Sequence, residues 1–328
     1  MVGLMTYDVV VTLGPESADA RMWRNLLEAG ATAFRLNTSH LTLDGLNSWI
    51  SKLDDHFSHG GRRVPIILDL QGSKWRLGEL EPVELEPGRK IVFVFGSASA
   101  QPGWIPVPHE DFFAASAQSG EVAMNDARVR LRIDRADAGT VNATVTQGGP
   151  VSGRKGVTLP GSKFRKEQLN EKDLRIRDMM ASVEGVQFAV SYVLDGHEMA
   201  RYRKLLGSSV PLIAKIERGS AVSDAAAIAG HSDAIWVCRG DLGAELGIEE
   251  MARAVSRFTR ERSRIPGPVL MAGQVLEHMK DHALPTRSEV CHIYDLLTAG
   301  YDGIVLSDET AIGRFPAESC RVAGAFRT

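Results

Sequence analysis

The sequence predicts an α/β fold: a closed (β/α)8 barrel of the TIM type with a small β-barrel lid inserted in it. Three observations carry this. Eight short apolar or β-branched runs alternate with stretches of helical period. Runs such as Ile66-Ile67-Leu68 are apolar without alternation, as strands buried on both faces of a parallel sheet require. After the third run the pattern changes to strand and turn signals over residues 73–158, far beyond the ~2–6 residues of an ordinary βα loop.

In chain order, strands are expected at Asp8–Leu13, Thr32–Asn37, Pro65–Leu70, Val186–Ser191, Pro211–Ile216, Ala234–Cys238, Val269–Ala272 and Asp302–Leu306. Helices follow at Asp19–Ala29, Leu43–Phe57, Glu171–Val183, His197–Leu206, Ser220–Ala229, Glu249–Arg262, Thr286–Thr298 and Pro316–Phe326. The barrel thus spans 1–72 and 159–328. In the insert, Val83–Leu85, Lys90–Phe95, Val129–Ile133 and Thr140–Val145 read as strands between Pro-Gly, Asn-Asp and Gly-Gly-Pro turns. A doubly wound dinucleotide fold loses its support because no Gly-x-Gly-x-x-Gly turn follows the first strand.

Composition narrows the partners. The 328 residues are 44% hydrophobic and 24% charged, with a net charge of −3, which suits a soluble globular chain and supplies no field for nucleic acid or an anionic membrane. No apolar run approaches the ~20 residues of a membrane span, and the start carries no basic leader, so a cytoplasmic protein is expected. Cys238, Cys291 and Cys320 form no Cys-x-x-Cys pair, which argues against a disulfide framework or structural zinc.

In such a barrel the C-terminal ends of the strands converge on one mouth. There the sequence places Arg35, Asn37, Ser39 and His40; Asp69, Lys74 and Arg76; Lys215 and Glu217; Arg239, Gly240 and Asp241; and Ser307, Asp308 and Glu309. Glu217 and Asp241 suit a hard divalent ion that keeps ligand and water oxygens. Arg35, Lys74, Arg76 and Lys215 are the donors a transferring phosphoryl group needs. Gly240 and Asp241 open a short helix whose free N–H groups suit an anion. Rival motifs fail. Residues 156–163 have P-loop spacing but reverse the Lys-Ser order and contain Pro160. His278 and His282 lack the glutamate of a zinc-protease helix between them and read as a solvated face. Arg260, Arg262 and Arg264 read as an exposed helix end without aromatics.

These residues resemble the pyruvate kinase family. The resemblance rests on Thr-Leu-Gly-Pro at 12–15, Arg-Leu-Asn-Thr-Ser-His at 35–40, Leu-Asp-Leu-Gln-Gly-Ser-Lys-Trp-Arg at 68–76 and Lys-Gly-Val-Thr-Leu-Pro-Gly at 155–161. It continues in Ala-Lys-Ile-Glu at 214–217, Arg-Gly-Asp-Leu-Gly at 239–243, Pro-Thr-Arg-Ser-Glu at 285–289 and Leu-Ser-Asp-Glu-Thr-Ala-Ile-Gly at 306–313. The resemblance implies transfer of a phosphoryl group from phosphoenolpyruvate to ADP, giving pyruvate and ATP, with Mg²⁺ or Mn²⁺ on Glu217 and Asp241. It assigns Lys215 to the phosphoryl group in flight and Arg35 and Arg76 to its oxygens. Gly240, Asp241, Ser191 and Gly273 border the substrate, the first two holding its carboxylate. Asn37, His40 and Lys155 face the nucleotide, and Asp126 is the carboxylate the lid brings in on closure. Asn37, Ser39 and Asp69 are the monovalent-cation position. Lys74, with Leu70, Gln71 and Leu77 beside it, resembles the branch in which an ammonium replaces K⁺, so K⁺ is not required.

Departures from the family's pattern concentrate on one side. Ala272-Gly273-Gln274 replaces Ala-Thr-Gln, removing a hydroxyl beside the enolpyruvate carbon at a cost on the order of 3 kcal/mol in the transition state; restoring Thr is expected to raise activity. Cys291–Asp295 replaces Asp-Val-Ala-Asn-Ala, and Leu194 stands near an expected Arg. Two alternatives therefore stand beside a slowed pyruvate kinase: a diverged phosphotransferase with another acceptor, and a non-catalytic sensor of phosphoenolpyruvate or nucleotide. Retention of Lys215, Glu217 and Asp241 weighs against the sensor. The family's C-terminal regulatory domain is expected to be absent, and a homodimer through the barrel is the expected assembly.

Overall fold

Eight parallel strands close on themselves in the computed structural model, which describes residues 5–58, 63–99, 101–162, 168–180 and 183–328. The chain opens with β1 (Asp8–Thr12), α1 (Ala20–Glu28), β2 (Ala33–Asn37), α2 (Leu43–Ser58) and β3 (Ile66–Leu70). The insert follows as β4 (Val83–Leu85), β5 (Lys90–Phe95), β6 (Trp104–Val107), α3 (Glu110–Ser116), β7 (Glu121–Met124), β8 (Val129–Asp137), β9 (Thr140–Gln147), β10 (Gly149–Val151) and β11 (Val157–Thr158). The barrel resumes with α4 (Glu171–Met180), β12 (Val186–Val190), α5 (Gly196–Leu206), β13 (Leu212–Ile216), α6 (Gly219–Ser223), α7 (Ala225–Ala229) and β14 (Ala234–Cys238). It ends with α8 (Arg239–Leu246), α9 (Ile248–Arg260), β15 (Val269–Ala272), α10 (Arg287–Thr298), β16 (Gly303–Leu306), α11 (Asp308–Ala311) and α12 (Pro316–Ala323).

Each of the eight expected barrel strands is present, and β1 pairs with both β2 and β16 to close the ring. Strand alternation decides which side chains enter it. On β3, Ile66, Leu68 and Leu70 face outward into the core shared with the helices, while Ile67 faces inward. On β13, Leu212, Ala214 and Ile216 likewise face outward, leaving Ile213 and then Lys215 on the inner face. The interior is packed with Val10, Ile67, Ile213, Trp236, Leu270 and Val305 among others, so the polar mouth rests on a solid floor. Local chemistry starts the helices where they are needed: Asp19 accepts from Met22 N at 2.8 Å, and Thr286 with Glu289 forms a capping box.

The expected small barrel of the insert is realised as a six-stranded sheet in the order β11-β7-β8-β9-β5-β6 and a separate ribbon of β10 with β4. One core of its own, from Trp75 to Leu159, holds it together, and α3 seals it with Phe112 and Phe113. Strands β6, β7, β10 and β11 and helix α3 were not predicted; all are short, and β6 carries Pro106. The insert's entry and exit run antiparallel, bridged at Arg76 and Gly156, with Leu77 N donating to Lys155 O at 2.9 Å and Val157 N to Trp75 O at 3.1 Å. Residues 181–182 of the expected third helix and Lys163 lie outside the described residues. All three cysteines are free, and among the described residues no helix is long and apolar enough to cross a membrane.

Candidate active site

At the C-terminal ends of β2, β3 and β13, alternation brings Arg35, Asp69 and Lys215 onto the inner face. Asp69 is their hub. Its Oδ2 accepts from Arg35 Nε at 2.8 Å and from Arg35 Nη2, while Lys215 Nζ lies 3.1 and 3.0 Å from its two oxygens. Ser191 Oγ donates to Leu70 O at 2.8 Å, lies 3.1 Å from Asp69 Oδ1 and receives a bond from Lys215 Nζ at 3.0 Å. Arg35 Nη1 donates to Thr12 Oγ1 at 2.7 Å, and the Thr12 hydroxyl donates to Leu306 O at 2.7 Å, tying the site across the barrel seam. Burial disfavours all these charges, yet their mutual attraction wins: Asp69 is held well below the carboxylate range by Lys215 and Arg35, and Lys215 is raised above an ordinary ammonium by Asp69 and Glu217.

Glu217, also buried, accepts from Tyr192 N at 2.6 Å through Oε2. Its Oε1 lies 3.0 Å from Lys215 Nζ but receives no hydrogen bond, the ammonium bonding Asp69 and Ser191 instead. Asp241, opening α8, is met by Lys74 Nζ at 2.5 Å. Burial pushes Glu217 up to about 7 and Asp241's charge adds to the rise, whereas Lys74 overcomes burial and holds Asp241 at about 2. Arg35, Lys74 and Lys215 thus face Asp69, Glu217 and Asp241 as three cations against three carboxylates. With Glu217 raised to about 7, the cluster balances only once that carboxyl loses its proton, and a divalent cation, which would favour the deprotonated form, would make it anion-attracting.

Around this centre lie the other predicted residues, not all with the partners expected of them. Lys74 sits on Asp241, while Asp69 is taken by Arg35 and Lys215; the ammonium has room because Gly156 has no side chain, and a β-carbon there would stand 2.9 Å from Lys74 Cε. Asn37 accepts from Ser39 N at 3.2 Å, and Ser39 Oγ is buried without a hydrogen bond. Arg76 anchors one arm on Arg154 O at 2.9 Å and keeps a buried, unbonded Nε. The His40 ring is lowered to about 4 by desolvation and by the cations Arg76, Lys155, Arg35 and Lys74 around it, so it faces the mouth neutral. At the lid's tip Asn125, Asp126 and Ala127 are all left-handed, with φ of 51°, 54° and 60°. They carry Asp126 to the start of α8, its carboxyl carbon 3.8 Å from where a β-carbon would stand on Gly240. Arg128 beside it reaches Glu277 of the barrel at 2.7 Å.

The chain matches the family described as pyruvate kinase, barrel domain, over residues 5–320. It belongs to the pyruvate kinase family. It is similar to pyruvate kinases of Agrobacterium vitis (35% identical, covering 96% of this chain and 67% of the relative) and Methylorubrum extorquens (33% identical, covering 95% and 66%). A crystal structure of a pyruvate kinase from Cryptosporidium parvum superposes with a TM-score of 0.83 at 25% identity, covering 98% of this chain and 68% of that one. The chain therefore spans about two thirds of the length of these relatives.

Against the pyruvate kinase expectation, Lys215, Arg35, Asp69, Ser191 and Glu217 form one contact network, with Lys74 and Asp241 beside it. Gly273 stands over the start of α8: its φ is +82°, and a β-carbon on it would lie 3.1 Å from Gly240 N. Arg239 fixes this loop by donating to Gly273 O at 3.1 and 2.8 Å and to Gln274 O at 2.9 Å, with His292 Nε2 2.7 Å from its Nη1. Sequence reasoning missed Thr12, although its place at the end of β1 was a signal, and Tyr192, for which there was none. Arg262 is no loose helix end: it ion-pairs with Asp302 at 2.5 Å and bonds Ile265 O and Gly267 O. His278 and His282 stack face to face at 3.9 Å on an exposed turn.

Proposed function

We propose that this chain transfers the phosphoryl group of phosphoenolpyruvate to ADP, giving pyruvate and ATP. The observation that carries the reading is Lys215, a buried ammonium locked by Asp69 and Ser191 beside Arg35 and Glu217. Lys215 and Arg35 stabilise charge that develops on the phosphoryl oxygens, at no cost of reorganisation because Asp69 already orients both. The unbonded Nε of Arg76 is a further donor from the lid's base. Free N–H groups at Gly240 and Asp241 bind the carboxylate.

Mg²⁺ or Mn²⁺ fits Glu217 and Asp241, since Glu217 Oε1 is a buried carboxylate oxygen with no hydrogen bond. Bound there, the ion neutralises charge on substrate oxygens. Lys74 supplies a fixed ammonium next to Asp241, which supports activity without K⁺. His40 and Lys155 at the rim suit the nucleotide, the neutral ring as a hydrogen-bonding or stacking face. Position 273 provides no hydroxyl, so proton delivery to the enolpyruvate carbon falls to water. The same missing hydroxyl favours a second reading, a phosphotransferase with a different acceptor.

A coupled assay for pyruvate and ATP tests this. The wild type turns over at a rate independent of K⁺ at constant ionic strength, and Lys215→Met loses on the order of 10²–10³ in kcat while still binding phosphoenolpyruvate. Tight phosphoenolpyruvate binding without turnover by the wild type refutes the reading. A rate that climbs steeply with K⁺ refutes the role of Lys74.

A further inference from the structure

Tyr192 follows β12 by two residues, in a conformation that a bulky side chain adopts rarely: its φ is +64°, and it is fully buried. Such strain persists only where surroundings over-determine it, and here four neighbours do. Tyr192 N donates to Glu217 Oε2 at 2.6 Å. Its carbonyl accepts from Ser73 Oγ at 3.4 Å, and its hydroxyl lies 3.4 Å from Thr158 Oγ1. The Arg218 guanidinium sits 5.7 Å from the ring centre. Ser73 precedes the insert's first strand, and Thr158 ends β11, its last. One residue therefore touches both joints of the lid and the carboxylate proposed to hold the divalent cation.

We propose that Tyr192 is a positioning residue that links the lid's joints to Glu217, so that lid closure over substrate tightens divalent-cation binding. The inference rests on Glu217 being a metal ligand. The link works through rigid short-range contacts. A shift of Thr158 moves the Tyr192 hydroxyl, and the ring, fixed against Arg218, passes the shift to the N–H that orients Glu217. Tyr192→Phe keeps the ring and the N–H but removes the hydroxyl; Thr158→Val removes its partner.

The test is Mn²⁺ binding to the full chain, followed by electron paramagnetic resonance, with and without phosphoenolpyruvate, in wild type, Glu217→Gln, Tyr192→Phe, Thr158→Val and the double variant of the last two. Phosphoenolpyruvate should tighten Mn²⁺ binding in the wild type. Tyr192→Phe should keep substrate-free Mn²⁺ affinity within about twofold and reduce the tightening by about threefold to tenfold, the range spanned by one neutral hydrogen bond. Thr158→Val should do the same, and the double variant should lose no more than either single one. Undiminished tightening in Tyr192→Phe, or additive losses, overturns the link while leaving Glu217 a ligand, provided Glu217→Gln abolishes Mn²⁺ binding. Mn²⁺ binding unchanged in Glu217→Gln removes the ligand assignment and the link with it.

Discussion

Gly273 is held left-handed by Arg239, which grips the carbonyls of Gly273 and Gln274. From sequence alone, restoring the family's Thr promises a gain in activity; the backbone argues otherwise. A β-branched residue at φ +82° costs about 1–3 kcal/mol, and its β-carbon would stand 3.1 Å from Gly240 N and 3.3 Å from Arg239 N. Gly273→Thr should therefore lower the Tm by several degrees, at about 2–4 °C per kcal/mol, and weaken phosphoenolpyruvate binding by covering the start of α8. Calorimetry and a binding titration check both. A faster enzyme with unchanged Tm would show that the loop relaxes and that the missing hydroxyl was the defect after all.

Helix α4 shows how an element outside the charged cluster sets the mouth. Its Asp173 accepts from Gln71 N at 3.1 Å and Gly72 N at 3.0 Å, holding the turn that leads from β3 into the lid. Lys172 donates to Thr38 O and Leu41 O, both at 2.5 Å, holding the turn after β2. Burial outweighs the hydrogen bonds and lifts the Asp173 carboxyl to about 6. Its folded value lies above the unfolded one of about 3.9, so between about pH 4 and pH 6 the folded state binds the extra proton and this group's contribution falls as pH rises. The wild type should accordingly lose stability relative to Asp173→Asn from about pH 4 to pH 7 in denaturant titrations; parallel profiles would refute the assignment.

At this scale the sequence was most legible. Short apolar or β-branched runs alternating with helical stretches marked all eight barrel strands, most clearly where, as at Ile66-Ile67-Leu68, the run is apolar without alternation. Short insert elements escaped such patterns: seven residues of α3 carry too few turns for a period, and Pro106 masks β6. Of the site, the charged residues at strand ends were visible one by one. Their partners were not, since Asp69 serving Arg35 and Lys215, or Lys74 on Asp241, depends on contacts between distant parts of the chain. Tyr192 was invisible because its role lies in a backbone angle and an N–H.

Across the whole molecule, the tip of the lid meets the barrel through Arg128 and Glu277, 2.7 Å apart and both partly exposed. A pair in that setting is worth about 0–1 kcal/mol and is screened by salt. Arg128→Glu should lower kcat/KM by up to about fivefold at low salt, with the loss shrinking as salt rises. The charge-swapped Arg128→Glu, Glu277→Arg double variant should recover most of it. Equal losses in the single and double variants would show that the contact is incidental to closure.

The bridge between Arg76 and Gly156 places the lid's entry and exit side by side. Seen from the barrel, everything between them closes like a single surface turn, because the two chain ends it offers are already neighbours. The barrel's ring closure therefore does not depend on what the turn contains, and the lid's core owes nothing to the barrel's. Such a joint makes the lid a replaceable part: its length and shape can change while the strand ends beneath keep their register.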